Sequence, residues 1–429
     1  MERYSEYCES GTGWLGELPS HWQLRRISAL YDARNEKVSD RDYPPLSVTM
    51  QGIVPQLETA AKTQDGDNRK LVRCGDFVIN SRSDRRGACG ISAYDGSVTL
   101  ISNVLAPKDR DAMSTRYYSY LFRSEGFADE FYRQGTGIVD DLWSTNWSRM
   151  KNILVSGPPH TEQERIADYL DIKTAEIDAL VADCEREVGL LQEYRKAIIS
   201  EVVTKGLDPD APMKDSGVEW IGEIPVSWKI LKLKQLAKKI GDGLHGTPDE
   251  YDENGEVWFI NGNNLGNQVI TLKPDTKRLS ASERDRLQNI EFSENTILIS
   301  LNGSYGETSF YNGEAVLLGK SAGFVVLNPE VDKHYIRWYL QSHAVKTELD
   351  LSLSGTTIAN VSLFTLNNLT IVYPPPNEQQ RINAHLGNAI YNIDSLVEAK
   401  QQMADKLREY RKSLVSEAVT GKFKVPGVK

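Results

Sequence analysis

Cysteine is scarce in this sequence of 429 residues, and long apolar runs are missing. The cysteines are Cys8, Cys74, Cys89 and Cys184, which form no C-x-x-C pair, so neither a disulfide framework nor a zinc site is indicated. No apolar run approaches the roughly 18 residues that a membrane span needs. The polar N-terminal segment also lacks the apolar stretch of a secretory signal. We therefore expect a cytoplasmic protein.

Signatures of catalysis are missing as well. There is no G-x-G-x-x-G and no G-x-S-x-G, and the six histidines form no cluster with acidic residues at metal-ligand spacing. Residues 313–321 resemble a phosphate-binding loop, but five residues separate the glycines instead of four and the middle has the pattern of a strand. The segment 373–376 lacks the Asn or Asp that an amino-methyltransferase places before its Pro-Pro-aromatic motif. We therefore predict a non-catalytic chain that binds no metal or cofactor itself.

The formal net charge is −10, which by itself argues against a nucleic-acid partner. The distribution of charge matters more than the total. The first 160 residues are nearly balanced, and most of the acid excess lies in residues 161–206 and 207–375. A DNA contact would therefore need local basic clusters or a basic partner subunit.

A long stretch of the sequence occurs twice. Residues 158–204 and 374–420 align without gaps at an offset of 216, and 20 of the 47 positions are identical. A shorter repeat opens each half, where residues 10–19 followed by Trp22 match residues 216–225 followed by Trp228. Its glycines and prolines mark a fixed turn and its tryptophans need a packing partner, so we interpret this "clasp" as structural and not as a ligand site. Such repeats indicate two half-units in tandem.

The long repeats are predicted to be helices. Thr161-x-x-Glu164 and Asn377-x-x-Gln380 resemble capping boxes, and Gly206 and Gly421 are natural stops. In the first copy, apolar side chains recur every seven residues at Leu170, Ile177, Cys184, Leu191 and Ile198. This pattern predicts a coiled coil. We expect the two helices to be antiparallel, because the globular segment between them must fold back; parallel helices from two chains of a dimer are the competing geometry.

Each half also has about 130 residues of mixed character, a length on the scale of one domain. Strand-like runs lie at 76–80, 98–101, 296–300, 315–318 and 324–327, and helices are predicted at 117–132 and 335–349. We predict an α+β fold with two mixed α/β globular domains, two long antiparallel coiled-coil helices and an internal pseudo-two-fold repeat. The domain bounds are 1–157, 158–206, 207–373 and 374–429. The element order repeats but the side chains differ, which is typical of one scaffold with two recognition surfaces.

Basic and amide-rich segments are the candidate binding surface. Arginine is the side chain that most often reads guanine, and amides suit adenine edges, although solvated loops and plain turns are the competing interpretations. The DNA-contact candidates are Arg69, Lys70, Arg82, Arg85, Arg86, Asn261, Asn263, Asn264, Asn302, Ser304, Tyr305 and Lys320.

The doubled motifs carry a resemblance. The clasp, the Pro-Pro-x-x-Glu-Gln-x-Arg-Ile motif and the Tyr-Arg-Lys-(x)3-Ser-Glu-x-Val-Thr motif resemble those of type I restriction-modification specificity subunits over the whole chain. The resemblance implies that each globular domain is a target-recognition domain for half of a bipartite double-stranded DNA site, and that the helices dock two methyltransferase subunits. It also implies that the same assembly can recruit two restriction subunits. S-adenosylmethionine and ATP with Mg are implied for these partners and not for this chain.

Within the repeat, the Tyr-Arg-Lys triplets are predicted to contact a partner or the opposite helix. They are Tyr194, Arg195, Lys196, Tyr410, Arg411 and Lys412. The alternative function is a coiled-coil scaffold whose globular domains bind protein or glycan instead of DNA. An enzyme tied to nuclease activity is disfavoured, because no acid–Lys nuclease motif or methyltransferase motif is present.

Overall fold

The structure is a computed structural model that describes residues 2–56, 66–82, 87–137, 143–266, 268–287, 290–353 and 360–428. Helices and strands both contribute, so the predicted mixed fold is confirmed. No helix among the described residues has the length and apolar content that a membrane crossing requires.

The strands of the first half are β1 (Tyr7–Glu9), β2 (Glu17–Pro19), β3 (Gln23–Arg26), β4 (Tyr31–Ala33), β5 (Lys37–Val38), β6 (Leu46–Thr49), β7 (Gly52–Pro55), β8 (Arg69–Val72), β9 (Phe77–Asn80), β10 (Cys89–Ile91), β11 (Gly96–Val98), β12 (Ser102–Pro107) and β13 (Leu154–Gly157). Its helices are α1 (Ile27–Leu30), α2 (Thr115–Phe122), α3 (Glu125–Arg133), α4 (Trp147–Met150) and the long α5 (His160–Lys205).

The strands of the second half are β14 (Met213–Asp215), β15 (Glu223–Pro225), β16 (Lys229–Lys232), β17 (Ala237–Asp242), β18 (Val257–Ile260), β19 (Leu265–Gly266), β20 (Val269–Ile270), β21 (Arg278–Leu279), β22 (Thr296–Ser300), β23 (Thr308–Phe310), β24 (Val316–Leu318), β25 (Ala322–Leu327) and β26 (Thr370–Tyr373). Its helices are α6 (Leu233–Leu236), α7 (Ala281–Leu287), α8 (Lys333–Leu340), α9 (His343–Ser352), α10 (Leu363–Asn368) and the long α11 (Pro376–Val419), with a short 3-10 helix at Gly262–Asn264.

The chain forms two compact units. The first unit comprises Met1–Glu185 and Gln401–Lys429, and the second comprises Arg186–Lys400. Both unit boundaries fall inside the long helices, so each unit combines one globular domain with part of α5 and part of α11.

The first unit is organised around a four-stranded antiparallel sheet with the strand order β10-β9-β12-β4. Helices α2 and α3 cover it, and their aromatic side chains interlock with the sheet. Phe122 lies with its ring centroid 4.6 Å from that of Phe77 and 4.8 Å from that of Phe127. All three rings are buried, and burying each contributes about 1.5–3 kcal/mol relative to exposure.

The second unit repeats this scaffold. Its four-stranded sheet has the order β23-β22-β25-β17, which matches β10-β9-β12-β4 element for element along the chain. The smaller sheets differ, because β11-β8-β5 is antiparallel whereas β21-β18-β24 contains a parallel pair between β18 and β24. The two units therefore share a core and diverge at its periphery.

The segments of α5 and α11 run antiparallel within each unit. The ion pairs between them show this, since residues later in α5 pair with residues earlier in α11. The ion pairs are Asp178–Arg411 and Glu185–Arg408 in the first unit, and Glu187–Lys400 and Arg195–Asp394 in the second. Leu170, Ile177 and Cys184 are buried, as the seven-residue pattern predicts. Lys400 interrupts that pattern in α11 and lies 2.5 Å from a carboxylate oxygen of Glu187.

Several predicted elements differ from the structure. The single helices predicted at 117–132 and 335–349 are each two helices, since Ser124 and Ser342 accept hydrogen bonds from backbone N–H groups and cap a new helix. The run 98–101 is strand only at its start, because β11 ends at Val98 and a turn follows. Thr161 and Asn377 lie in the first turn of α5 and α11 instead of at their N-caps, so the predicted capping boxes do not form.

In each unit, the clasp is hydrogen-bonded to the start of a long helix. Trp22 donates its indole N–H to Glu162 at the start of α5 (3.0 Å), and Trp228 donates to Glu378 at the start of α11 (2.7 Å). The end of the other long helix reaches the same joint. Tyr117 on α2 donates to the carbonyl of Val419 near the end of α11, and its counterpart Tyr335 on α8 donates to the carbonyl of Val203 near the end of α5.

Candidate functional site

Polar segments of the second unit meet at one edge of its domain, where β18 and β24 of one sheet and β22 of another sheet end. Ser321 donates its hydroxyl to the Asn261 side-chain oxygen at 3.1 Å, and the Ser321 backbone carbonyl accepts from Leu301 N at 2.8 Å. Asn302 lies two residues after the end of β22 and forms an isolated bridge with Asn360. The structure thus brings Asn261 and Asn302 together, although 41 residues separate them in sequence.

Neighbouring side chains at this edge are exposed. They are Asn263 in the 3-10 helix, Lys320 in the turn between β24 and β25, and Ser304 at the tip of the loop after β22. Carbonyl, amide, hydroxyl and ammonium groups are all offered to solvent here, and these are the groups that contact base edges and phosphates.

The first unit has an equivalent edge at the end of β9, the counterpart of β22. Arg82 is exposed there, and it forms an isolated bridge with Ser144 just as Asn302 does with Asn360. Arg82 and Asn302 therefore occupy the same position of the two scaffolds with different chemistry. Arg85 and Arg86 lie outside the described residues.

Two predicted contact residues face inward. Arg69 is 2% exposed, and its guanidinium donates to the hydroxyl and carbonyl of Ser97 at 2.8 and 3.0 Å, which ties β8 to β11. Asn264 is 4% exposed and its amide donates to Thr271 O and the Thr276 hydroxyl. Their polar groups are engaged in internal hydrogen bonds, so we no longer include Arg69 and Asn264 among the DNA-contact candidates.

Lys70 and Tyr305 are partly engaged. The Lys70 ammonium donates to Ser102 O at 2.7 Å, and burial lowers the pKa of this amine. Tyr305 turns towards α9, where its hydroxyl contacts Asp350 and accepts from the Lys346 ammonium at 2.5 Å. Both side chains are half-buried.

The three residues of each Tyr-Arg-Lys triplet differ in their surroundings. Arg195 and Arg411 pair across the helices, with Asp394 and Asp178 respectively. Tyr194 and Tyr410 project from the helices and are 57% and 50% exposed. Lys412 pairs with Glu125 of α3 at 2.8 Å.

Each unit also has a cavity that the sequence did not reveal. It lies between the two short helices of the domain and the end of a long helix, and its volume is about 810 Å3 in the first unit and 600 Å3 in the second. Arg123 in one and His343 and Lys346 in the other line it beside the Tyr-Arg-Lys triplets. The sequence does not show that these distant segments line a common cavity. The repeated Tyr-Arg-Lys triplet was the one available signal.

Metal ligands are not gathered anywhere in the described ranges, where no three His, Cys, Asp or Glu side chains form a group suited to an ion. The side chains described at the two edges are hydrogen-bonding and charged groups.

Comparisons with known proteins agree with this picture. The family model described as the type I restriction modification DNA specificity domain matches residues 225–404. The specificity subunit of the type I restriction enzyme MjaVIII from Methanocaldococcus jannaschii is 25% identical over 316 residues, which cover 71% of this chain and 70% of that protein. A protein of the same organism, assigned as the specificity subunit of the type I restriction enzyme MjaX, is 22% identical over 441 residues and 96% of each chain.

Among solved structures, one described as the structural basis of complex assembly and conformational transition of the type I R-M system shares the fold. Its TM-score is 0.72 at 16% identity, covering 94% of this chain and 98% of that chain. The solved structure thus shows the fold, and the match to a DNA specificity domain covers residues 225–404. In sequence, the chain is similar to type I restriction-modification specificity subunits at 22–25% identity.

Proposed function

We propose that this chain selects the DNA sequence for a type I restriction-modification complex, with each globular domain reading one half of a bipartite, asymmetric site. The recognition domains are residues 1–157 and 207–373, and the spacer helices are residues 158–206 and 374–429. As a specificity subunit the chain is non-catalytic, and partner subunits supply methylation and any DNA cleavage.

One observation carries the asymmetry. Both units have such an edge, and the position that Arg82 fills in one unit is filled by Asn302 in the other. Arginine pairs with the O6 and N7 acceptors of guanine, whereas asparagine pairs with N6 and N7 of adenine. Equivalent positions with different donors and acceptors are what two unequal half-sites require.

The proposed DNA contacts are the exposed or half-exposed members of these two edges. They are Arg82, Asn261, Asn263, Asn302, Ser304 and Lys320. Lys70 and Tyr305 are half-buried and hydrogen-bonded within the chain, so they are given a secondary role. The overall charge of −10 leaves much of the phosphate neutralisation to partner subunits.

The proposed partners are two methyltransferase subunits and, in a restricting complex, two restriction subunits. A tandem repeat gives one chain the pseudo-two-fold symmetry that two copies of a partner need. The repeat also includes exposed apolar side chains. Tyr194 and Leu396 line a shallow cavity of the second unit, and Tyr410 and Leu180 occupy the repeated positions in the first. S-adenosylmethionine and ATP with Mg belong to these partners, and the complex works in the cytoplasm.

Methylation mapping tests the function directly. Long-read sequencing of DNA from cells with and without this gene should show one bipartite motif whose methylation depends on the gene. Gel shifts with the reconstituted complex should then favour that motif over scrambled DNA, and equal affinity for both would refute the proposal.

Single substitutions test the division between domains. Arg82→Ala should relax base preference at one half-site by 10- to 100-fold, given about 1–3 kcal/mol for a bidentate contact, and leave the other half-site unchanged. Asn302→Ala is the reciprocal control and should relax only the second half-site. Relaxation of both half-sites by either variant would contradict the assignment of one half-site to each domain.

The coiled-coil scaffold that binds protein or glycan is not favoured, because the matching family model describes a DNA specificity domain.

A further inference from the structure

A hairpin of the first unit extends towards the edge that carries Arg82. Strands β6 and β7 pair antiparallel, and the residue pair Thr49 and Gly52 closes the hairpin. Met50 and Gln51 form the two-residue turn between the strands, which we call the hairpin tip. Both side chains are exposed, and 63% of Met50 is accessible to solvent. Neither residue is among the DNA-contact candidates taken from the sequence.

Packing of the hairpin against β10 places its tip beside the end of β9. A Cβ at Gly90 of β10 would lie 3.0 Å from Gly52 Cα, and one at Gly87 would lie 3.1 Å from Met50 Cε. Gly87 and Arg82 in turn line one small pocket at the end of β9. Met50 therefore reaches the edge that carries Arg82, although 32 residues separate the two in sequence.

Three hydrogen bonds hold the backbone of the hairpin tip. Arg123 at the end of α2 donates to the Met50 backbone carbonyl at 2.9 Å. The Thr49 hydroxyl donates to Gly52 O at 2.9 Å and accepts from Gln51 N at 3.1 Å. Within the described part of the chain, the Gln51 amide itself has no hydrogen-bond partner. The domain thus presents this amide to solvent from a fixed backbone, which lowers the entropy cost of binding.

A two-stranded hairpin of this kind fits the major groove of DNA. Paired strands lie about 4.8 Å apart, and the groove is about 12 Å wide. A glutamine amide accepts from adenine N6 and donates to adenine N7, and an apolar side chain contacts the thymine methyl group. Gln51 and Met50 therefore carry the two kinds of group that one A·T pair requires.

The second unit presents an amide at its edge from a different element. Its hairpin β19–β20 packs against β23, the counterpart of β10, and Phe310 N donates to Gln268 O at 2.9 Å. Phe310 pairs with Ile297 near the start of β22, so this hairpin lies away from the end of β22. Asn263 of the 3-10 helix is an exposed amide at that edge. The position of the hairpin tip therefore distinguishes the first unit from the second.

We propose that the hairpin tip reads one A·T pair of the first half-site, with the Gln51 amide bonded to adenine N6 and N7 and Met50 against the thymine methyl group. The inference rests on the proposed function, since it takes the first domain as a reader of DNA. It assigns to the tip a base pair other than the one that Arg82 contacts. The second half-site gains no such contact, because its hairpin is placed differently.

Competition gel shifts with the reconstituted complex test the contact. Each base pair of the first half-site, as mapped by methylation, is replaced in turn. Gln51→Ala should lower the preference for A·T at one position by roughly 10- to 100-fold and leave the second half-site unchanged. Gln56→Ala is the matched control, because Gln56 lies at the open end of the same hairpin, and it should alter no position. An equal effect of both variants would overturn the proposal.

Two further variants test the chemistry of the contact. Arginine bonds to guanine O6 and N7, so Gln51→Arg should move the preference at the same position from A·T to G·C. Deoxyuridine lacks the thymine methyl group. Placing it at that position should weaken binding of the unmodified complex roughly fourfold, as expected for one buried methyl group, and should not affect Met50→Ala. An unchanged A·T preference in Gln51→Arg would contradict the assignment.

Assembly with the methyltransferase subunit, measured without DNA, separates the remaining outcomes. If the unmodified complex methylates a mapped motif but Gln51→Ala changes the preference at no base pair, the inference fails and the proposed function stands. If Gln51→Ala weakens assembly and leaves the base preference unchanged, the tip is a protein contact and the inference also fails. If the unmodified complex selects no sequence, the proposed function itself fails and the inference falls with it.

Discussion

Trp22 and Trp228 lie at the two joints where a clasp meets a long helix. Each donates its indole N–H to a glutamate of the first helical turn, Glu162 or Glu378. Both indoles are buried, so the hydrogen bond is shielded from water and directs the helix as it leaves the domain. Glu162 also accepts from Tyr4, and burial together with this hydrogen bond raises the pKa of that phenol.

Replacing either tryptophan by phenylalanine should destabilise its own joint. The ring keeps most of its apolar surface but the carboxylate loses a donor, which costs about 1.5–3 kcal/mol for a hydrogen bond to a charged group. The measurement is urea unfolding followed by circular dichroism, with hydrogen exchange to locate the loss. Trp147→Phe is the control, because Trp147 packs at the half-exposed edge of the first core, and a loss as large as that of Trp22→Phe would contradict the role of the hydrogen bond.

For single residues, the sequence shows which polar groups a side chain carries, but not whether that side chain faces solvent or the protein interior. Arg82 and Asn302 stay predictions as DNA contacts: Arg82 is exposed after β9, and Asn302 is half-buried after β22. Arg69 was misassigned, since its burial depends on Ser97, a partner that strand pairing supplies from 28 residues away. An isolated sequence does not contain that pairing.

Among the elements, the long helices are the most strongly determined. Gly206 and Gly421 follow their ends with φ of +81° and +67°, a region that favours glycine. A Cβ at Gly421 would also lie 2.5 Å from Pro19 Cδ, and one at Gly206 would lie 3.2 Å from Trp228 Cζ2. Each glycine lets a helix end close against the clasp of the same unit.

Alanine at these two glycines should destabilise the subunit by at least about 1–2 kcal/mol each, the cost of a left-handed backbone. Gly189 and Gly387 offer a matched contrast, because they lie within exposed helix and a Cβ would meet nothing within 4 Å. Alanine there should stabilise by about 0.5–1 kcal/mol. Thermal unfolding of the four variants checks the sign, and destabilisation of all four alike would mean that helix-end geometry is not the cause.

The sequence predicted these helices because a seven-residue apolar pattern is a local signal that spans six turns or more. It did not predict the breaks at Ser124 and Ser342. Periodicity continues across both breaks, and only the serine hydroxyl, which accepts from Phe127 N or Val345 N, restarts the helix. Short-range hydrogen bonds of this kind compete with helix continuation, and an apolar pattern does not record them.

At the scale of the whole molecule, α5 and α11 are paired antiparallel within each unit. Their lengths can therefore change only together if the pairing is to be kept. Under the proposed function, their length sets the spacer between half-sites. Removing residues 182–188 together with residues 401–407 shortens both helices by one heptad, about 10 Å, and preserves the apolar seam. The recognised spacer should shorten by about three base pairs at about 3.4 Å each.

Methylation mapping of the double deletion reads this spacing directly. Either deletion alone should abolish methylation, because α5 and α11 would no longer match in length and pairs such as Asp178–Arg411 would lose register. An unchanged spacer in the double deletion, with full activity, would show that the helices do not measure the distance.

The sequence predicted that the architecture is repeated, but it did not predict which distant residues lie together on the surface. Offsets in sequence revealed that two similar units exist, but Lys412 and Glu125 lie 287 residues apart and meet only because α11 returns to the first unit. The cavity of the first unit, which Arg411 and Lys412 line, arises from this return.

That return also sets an order of events during synthesis. The second unit is one continuous stretch, Arg186–Lys400, whereas the first unit needs Gln401–Lys429 to be complete. Leu414, Val419 and Phe423 are buried in the first core, so a ribosome that has just finished the second unit leaves the first with an open apolar groove. The domain made first is therefore finished last, and a chain interrupted late in translation would expose the first unit, not the second, to proteases and chaperones.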